Sequence, residues 1–169
     1  MGRLIIVEGA DGTGKTTLIN KFLEQGAVLV PVIAKDSENY DGIFRCWNEE
    51  VYRRDEDIVM DRCIFTDMVY RYVKGGKPTR SSLLVILKSL SKFQSVIIHC
   101  NNKDCYKQSM ARGENFITDE KDSDKICELY NFLFFVIKNY TNIPVIEYDY
   151  DSNISKQELE IFLGGKYAI

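Results

Sequence analysis

Eight residues near the start of the chain, Gly9-Ala10-Asp11-Gly12-Thr13-Gly14-Lys15-Thr16, constrain its fold more than any other feature. They fit the pattern G-x-x-x-x-G-K-[ST]. Its glycines let the backbone take positive φ and curl its N–H groups around an anion. A helix beginning at Lys15 adds the positive end of its dipole. The flanks comply. Leu4 to Val7 is a short unbroken apolar run, as in a central parallel strand covered on both faces. Thr16 to Glu24 places Leu18, Ile19, Phe22 and Leu23 near one side of a helix. Nucleotide phosphates suit such a loop, with Gly9 to Thr17 around them. Lys15 would reach the β/γ-phosphates, and the Thr16 hydroxyl would ligate Mg²⁺.

Strands and helices then alternate. Ala27 to Ile33 reads as a second strand, and Pro31 suits it to a sheet edge. Residues 41–54 look helical, with Ile43, Phe44, Trp47 and Val51 at helical spacing. Ile58 to Met60 is a third strand ending in Asp61-Arg62, and Thr66 to Tyr72 starts a helix. After the loop Lys74 to Pro78, Ser81 or Ser82 could cap a helix running to Lys92. Val96 to His99 is strand four, and Lys103 to Ala111 is helical. A polar segment from Arg112 to Ser123 precedes a long helix from Asp124 to about Asn139. Val145 to Tyr148 is strand five, and Lys156 to Leu163 a final helix. The alternation predicts one α/β domain, a three-layer sandwich around a five-stranded parallel sheet with right-handed crossovers.

Composition narrows the partners. A net charge of −3 argues against a broad nucleic-acid surface, while a local basic pocket for a small phosphorylated ligand stays open. No apolar stretch approaches a membrane span. The five cysteines show no Cys-x-x-Cys pair and no metal-ligand spacing. Reduced thiols in a cytoplasmic protein are the simplest expectation. His99, the one histidine, ends an apolar strand and reads as a satisfied structural residue. Phe132, Phe134 and Phe135 read as core, and Lys121 to Lys125 as a solvated run.

The strand-end pair Asp61-Arg62 turns phosphate binding toward phosphoryl transfer. Both side chains would stand at the carboxyl edge of a parallel sheet, where ligands bind. Asp61 could hold Mg²⁺ through water, and Arg62 could bridge donor and acceptor phosphates. The region before this strand offers Phe44 or Trp47 to stack on a base and Arg45, Arg53 or Arg54 to hold an acceptor phosphate. Burial of those aromatics on a helix stripe is the competing reading.

The segment from Glu8 to Thr17 resembles the thymidylate kinase P-loop, E-G-x-D-G-x-G-K-T-T. Asp61 to Thr66 resembles the D-R-x-x-x-S segment of that family, and also the E-R-S segment of deoxynucleoside kinases. Met110 to Glu114 is similar to the thymidylate kinase lid, here about residues 112–123. The resemblance implies a P-loop kinase using ATP and Mg²⁺, with Lys15, Asp61, Arg62 and Arg112 at the transfer site. Asp11 would then approach a sugar 3′-hydroxyl, and Arg112 would close on the transferring phosphoryl group. Relatives of this kind are often homodimers. The chain departs from both families after strand two. Val32 to Glu38 contains neither Arg-Glu-Pro nor Glu-Pro, which leaves Lys35 as the nearby phosphate-binding candidate.

A phosphate-monoester acceptor is already largely dianionic at pH 7 and needs positioning rather than a base. A sugar hydroxyl needs a carboxylate within hydrogen-bond reach. The missing glutamate therefore favours a deoxynucleoside monophosphate over a nucleoside, with Glu8 or Asp61 as fallback bases. A nucleotide-binding module without a small acceptor is the third reading. Asn102-Lys103-Asp104 misses the guanine-specificity spacing by one residue.

Overall fold

A computed structural model describes residues 2–30, 55–76, 80–92, 94–113 and 119–169. The expected helix over 41–54, with Lys35, Phe44, Arg45, Trp47, Arg53 and Arg54, lies outside the described residues. So does the end of the second strand beyond Val30.

Five strands, β1 (Leu4–Glu8), β2 (Val28–Val30), β3 (Ile58–Asp61), β4 (Ser95–Cys100) and β5 (Val145–Tyr148), form one sheet in the order β2-β3-β1-β4-β5. Every pairing is parallel: Val7 lies opposite Asp61 on one side and Ile98 on the other. β2 takes an edge. The described helices are α1 (Lys15–Glu24), α2 (Ile64–Val73), α3 (Arg80–Leu90), α4 (Cys105–Ala111), α5 (Glu120–Tyr140) and α6 (Asn153–Phe162).

Two-residue alternation along buried strands makes two cores. Leu4, Ile6, Ile58, Met60 and Ile97 face one side and pack with Phe65 and Val69 of α2, Ile86 of α3 and Ile126, Tyr130 and Phe134 of α5. Ile5, Val7, Val59, Val96 and Ile98 face the other and meet Leu18 and Phe22 of α1, Leu159 of α6 and Tyr167. The result is the three-layer sandwich, with helices on both faces of an almost wholly apolar sheet.

At the amino end of the strands, Asp57 ties the chain termini down. It accepts hydrogen bonds from the Arg3 guanidinium (2.9 Å) and the Tyr167 hydroxyl (2.9 Å), with Lys166 at 3.1 Å. Burial opposes ionisation of Asp57, but these donors outweigh it and hold the carboxyl down at about 2.

Several expectations change, among them the start of the final helix, which begins at Asn153 behind a Ser152 cap. The long helix starts at Glu120, four residues early, because the Asp119 carboxylate caps it by accepting from the Lys121 N–H (2.9 Å). Lys121 to Lys125 is therefore the opening of α5 rather than a lead-in, and it includes the buried Ser123. Of the three phenylalanines on α5, only Phe134 is core. Phe132 and Phe135 are 69% and 62% exposed, since steps of two and one residue turn them off the Ile126–Tyr130–Phe134 stripe. Ser81 and Ser82 lie inside α3 rather than capping it, because the helix begins at Arg80.

Candidate active site

The carboxyl ends of β1, β3 and β4 converge on the loop from Gly9 to Gly14. Gly9, Gly12 and Gly14 all have positive φ (142°, 80° and 83°), which only glycine adopts without strain. Space reinforces this at Gly12, where an added Cβ would stand 2.1 Å from the Cys105 carbonyl oxygen at the start of α4. At Gly14 it would stand 2.8 Å from the Tyr150 ring. The Thr13 hydroxyl braces the curl by donating to the Ala10 carbonyl (2.8 Å).

Lys15 is buried, and its ammonium donates to the Ala10 carbonyl across the mouth of the loop. Burial and then the nearby Arg62 charge push its pKa down, so an anion in the loop would relieve both. Thr16 and Thr17 are exposed at the first turn of α1. A loop with three glycines at positive φ and a buried lysine at its mouth fits a nucleotide's phosphates. The open Thr16 hydroxyl and the exposed Asp61 carboxylate are oxygen donors suited to Mg²⁺, which keeps several waters and takes few protein ligands.

Arg62 follows β3 with φ of 68°, the one positive-φ non-glycine among the described residues. Such strain persists where surrounding contacts over-determine it. Here the Arg62 N–H holds the Val7 carbonyl (2.9 Å) while its guanidinium pairs with Asp11 of the glycine loop. That guanidinium also lies 5.9 Å from the Tyr70 ring centroid. The Tyr70 hydroxyl completes the cluster by donating to the other Asp11 oxygen (2.8 Å). Burial resists ionisation of Asp11, but Arg62 and Tyr70 prevail and its pKa is lowered. A charged pair of the buried Asp11 and the partly exposed Arg62 thus stands beside the buried Lys15.

Directly beneath lies Glu8, fully buried at the end of β1. Its carboxylate accepts from the Cys63 N–H, from the Thr66 hydroxyl (2.6 Å) and from the Tyr130 hydroxyl (3.3 Å). Thr66 and Tyr130 also share a 2.8 Å hydrogen bond. Glu8 therefore joins β1, α2 and α5. Burial pushes its carboxyl up to about 7, against the opposing pull of Thr66, Cys63, Arg62 and Lys15.

Arg112, expected in the lid, is exposed at the end of α4, near enough for its charge to act on Tyr150. Residues 114–118 of the expected lid lie outside the described residues. Asn102 has a bracing role: its amide donates to Asp149 (2.8 Å) and Asp151 (3.0 Å), and its carbonyl oxygen accepts from the Asp104 N–H (2.9 Å). This holds the turn after β5, and Tyr150 with it, against the glycine loop. Tyr150 was not legible as a site residue. The available signal was its place just beyond the carboxyl end of a parallel strand. His99 sits in an aromatic cage with Tyr130 and Phe134, its Nδ1 2.8 Å from a Glu147 oxygen but outside hydrogen-bond alignment.

No protein-family model matches the chain, and no curated protein matches it by sequence. Solved structures match it by fold. The YorR protein of Bacillus subtilis, in complex with phosphorylated GDP, has a TM-score of 0.67 at 22% identity, covering 96% of this chain and 95% of that one. Deoxyadenosine kinase from M. mycoides, with dCMP and dCDP bound, has 0.60 at 14%, covering 96% and 97%. Polyphosphate kinase 2 from Arthrobacter aurescens TC1 has 0.64 at 20%, covering 97% of this chain and 69% of that one. The five-stranded parallel α/β fold is thus shared with these solved structures. Among the described residues, no helix is long and apolar enough to cross a membrane.

Proposed function

We propose that this chain is a Mg²⁺-ATP-dependent kinase that phosphorylates a deoxynucleoside monophosphate. The observation that carries the reading is the Asp11–Arg62 pair bridging the glycine loop and the end of β3, beside the buried Lys15. A loop that only held a nucleotide would need no second, preorganised cation across its mouth. Arg62 and Lys15 together can neutralise charge on a phosphoryl group held between donor and acceptor, which is most of what this chemistry asks of a protein. When bound, Mg²⁺ would neutralise further charge on the donor phosphates, held from this chain by Thr16 and, through water, by Asp61.

The state of the carboxylates supports a monophosphate acceptor. Glu8 is sealed from solvent and engaged by three donors, so it is out of reach of a bound hydroxyl. Asp11 is held as an anion by Arg62 and Tyr70. Such an acid accepts a sugar hydroxyl proton poorly but can receive its hydrogen bond. Neither carboxylate is thus poised as a base, and an already ionised phosphate needs none. Transfer to a nucleoside 5′-hydroxyl is the second reading. It is favoured by the exposed Asp61 and by the likeness to deoxyadenosine kinase.

The test is coupled ADP release with Mg²⁺-ATP against deoxynucleosides and their monophosphates, with Lys15→Ala as control. Turnover confined to monophosphates, and lost in the control, is expected. Turnover with nucleosides alone would transfer the reading to the second. No turnover on any acceptor, with ATP still bound, would overturn both.

A further inference from the structure

The fold brings two cysteines together that the sequence holds 22 positions apart. Cys105 opens α4 and Cys127 lies on α5, and their sulfurs are 3.4 Å from each other. Both are free thiols. The Ser123 hydroxyl, one turn before Cys127, is 3.8 Å from the Cys105 sulfur. Cys105 is buried, while Cys127 is half-buried and opens the pair to the surface. The other two described cysteines differ: Cys63 and Cys100 are fully enclosed, with no sulfur partner among the described residues.

We propose that Cys105 and Cys127 are an oxidisable dithiol, a modification site at which a small hydroperoxide closes an intramolecular disulfide behind the glycine loop. The hydrogen-bonded contact with Cys127 lowers the Cys105 pKa, with burial opposing and Ser123 assisting. The pKa of Cys127 is pushed up, by the Cys105 contact and then by burial. The contact thus sets a more acidic thiol beside a less acidic one, the arrangement of an attacking and a resolving cysteine.

The Cys105 thiolate attacks one peroxide oxygen; the O–O bond breaks, hydroxide leaves, and Cys105 becomes a sulfenic acid. The Cys127 thiol gives its proton to that hydroxide, and its sulfur attacks the Cys105 sulfur. The S–O bond breaks, and the second oxygen leaves as water once protonated from solvent. Two thiols and one hydrogen peroxide thus give one disulfide and two waters, the sulfurs losing the two electrons the peroxide gains.

Position gives the bond a consequence. Closure draws the sulfurs from 3.4 Å to about 2.05 Å. One end of that bond is the start of α4, whose Cys105 carbonyl and Ser109 N–H leave no room for a Cβ at Gly12. The new bond would join α4 to α5 at the wall of the phosphate loop.

The test treats the intact, reduced chain with hydrogen peroxide, alkylates remaining thiols after denaturation, and maps peptides by mass spectrometry. The expected product is a Cys105–Cys127 cross-linked peptide pair lighter by two hydrogens and reversed by dithiothreitol. It should form at least about tenfold faster than Cys63 or Cys100 oxidises, as thiolate content dictates. In Cys127→Ser, a Cys105 sulfenic acid should instead be trapped by dimedone. Both cysteines alkylated in full, cross-links to other cysteines, or equal oxidation rates at all sites would each overturn the proposal. The readout is independent of the kinase reading, so the two can fail separately.

Discussion

Replacing Glu8 with glutamine should abolish one pH dependence of stability and leave the architecture intact. In the folded chain the Glu8 carboxyl titrates near 7, against 4.5 when solvated. Between those values the native state binds a proton that the unfolded state has released, so stability falls as pH rises through this window. At about 1.4 kcal/mol for each pKa unit, the cost of ionising Glu8 in place is about 3 kcal/mol above pH 7. Glutamine can take the same position. Its carbonyl oxygen can accept from the Cys63 N–H while its amide donates to Thr66, whose hydroxyl then donates to Tyr130. Urea unfolding from pH 4.5 to 8.5 measures the effect. The difference between the two proteins isolates Glu8 from every other titrating group. Glu8→Gln should be the more stable protein at pH 8 by up to about 3 kcal/mol, with the advantage vanishing by pH 4.5. A pH-independent difference would refute the reasoning, because Glu8 would then not be titrating in that window.

Other substitutions probe separate layers. Gly12→Ala combines φ of 80° with a Cβ 2.1 Å from the Cys105 carbonyl. It should cost at least about 2 kcal/mol in urea unfolding, and a midpoint equal to wild type would show that the loop yields easily. Asp57 contributes stability that is fully present above its unfolded value of 3.8 and lost as pH falls toward about 2. Asp57→Asn should remove up to about 2 kcal/mol at pH 7 and flatten this part of the acid unfolding curve followed by circular dichroism. An unchanged acid limb would count against the Arg3–Asp57–Tyr167 anchor. Tyr70→Phe takes one donor from Asp11 and leaves Arg62 in place. Losing one hydrogen bond of about 1 kcal/mol should raise the acceptor KM roughly fivefold in the ADP-release assay. A change in ATP affinity alone would move Asp11 from the acceptor side to the donor side.

Local chemistry determined a great deal of this protein on its own. The apolar run before Gly9, the glycines at positions needing positive φ, and Lys15 at the helix start write a strand, an anion cradle and a helix within about two dozen contiguous residues. The same holds for the five-strand α/β sandwich. Each buried strand is a short unbroken apolar run, and each flanking helix carries a stripe at its own period. Pro31 in the sequence pointed to an edge for β2, and the described strand takes one. Helix limits were less legible: the Asp119 cap moved the start of α5 ahead of its apolar stripe, and a two-residue step separated exposed Phe132 from buried Phe134.

Tertiary structure alone decided which distant groups meet. Glu8 and Asp61 looked interchangeable as bases in the sequence, yet one is sealed under the sheet end by Cys63, Thr66 and Tyr130 while the other is exposed. Nothing in their spacing distinguishes them, because solvation depends on α2 and α5 folding over one face. The same reason hid the Tyr70 contact to Asp11, the placing of Tyr150 against Gly14, and the meeting of Cys105 with Cys127. Periodicity tells which way a residue faces within its own element. Pairing across elements depends on how those elements pack, and that is fixed only when two complete cores close on the two faces of the sheet.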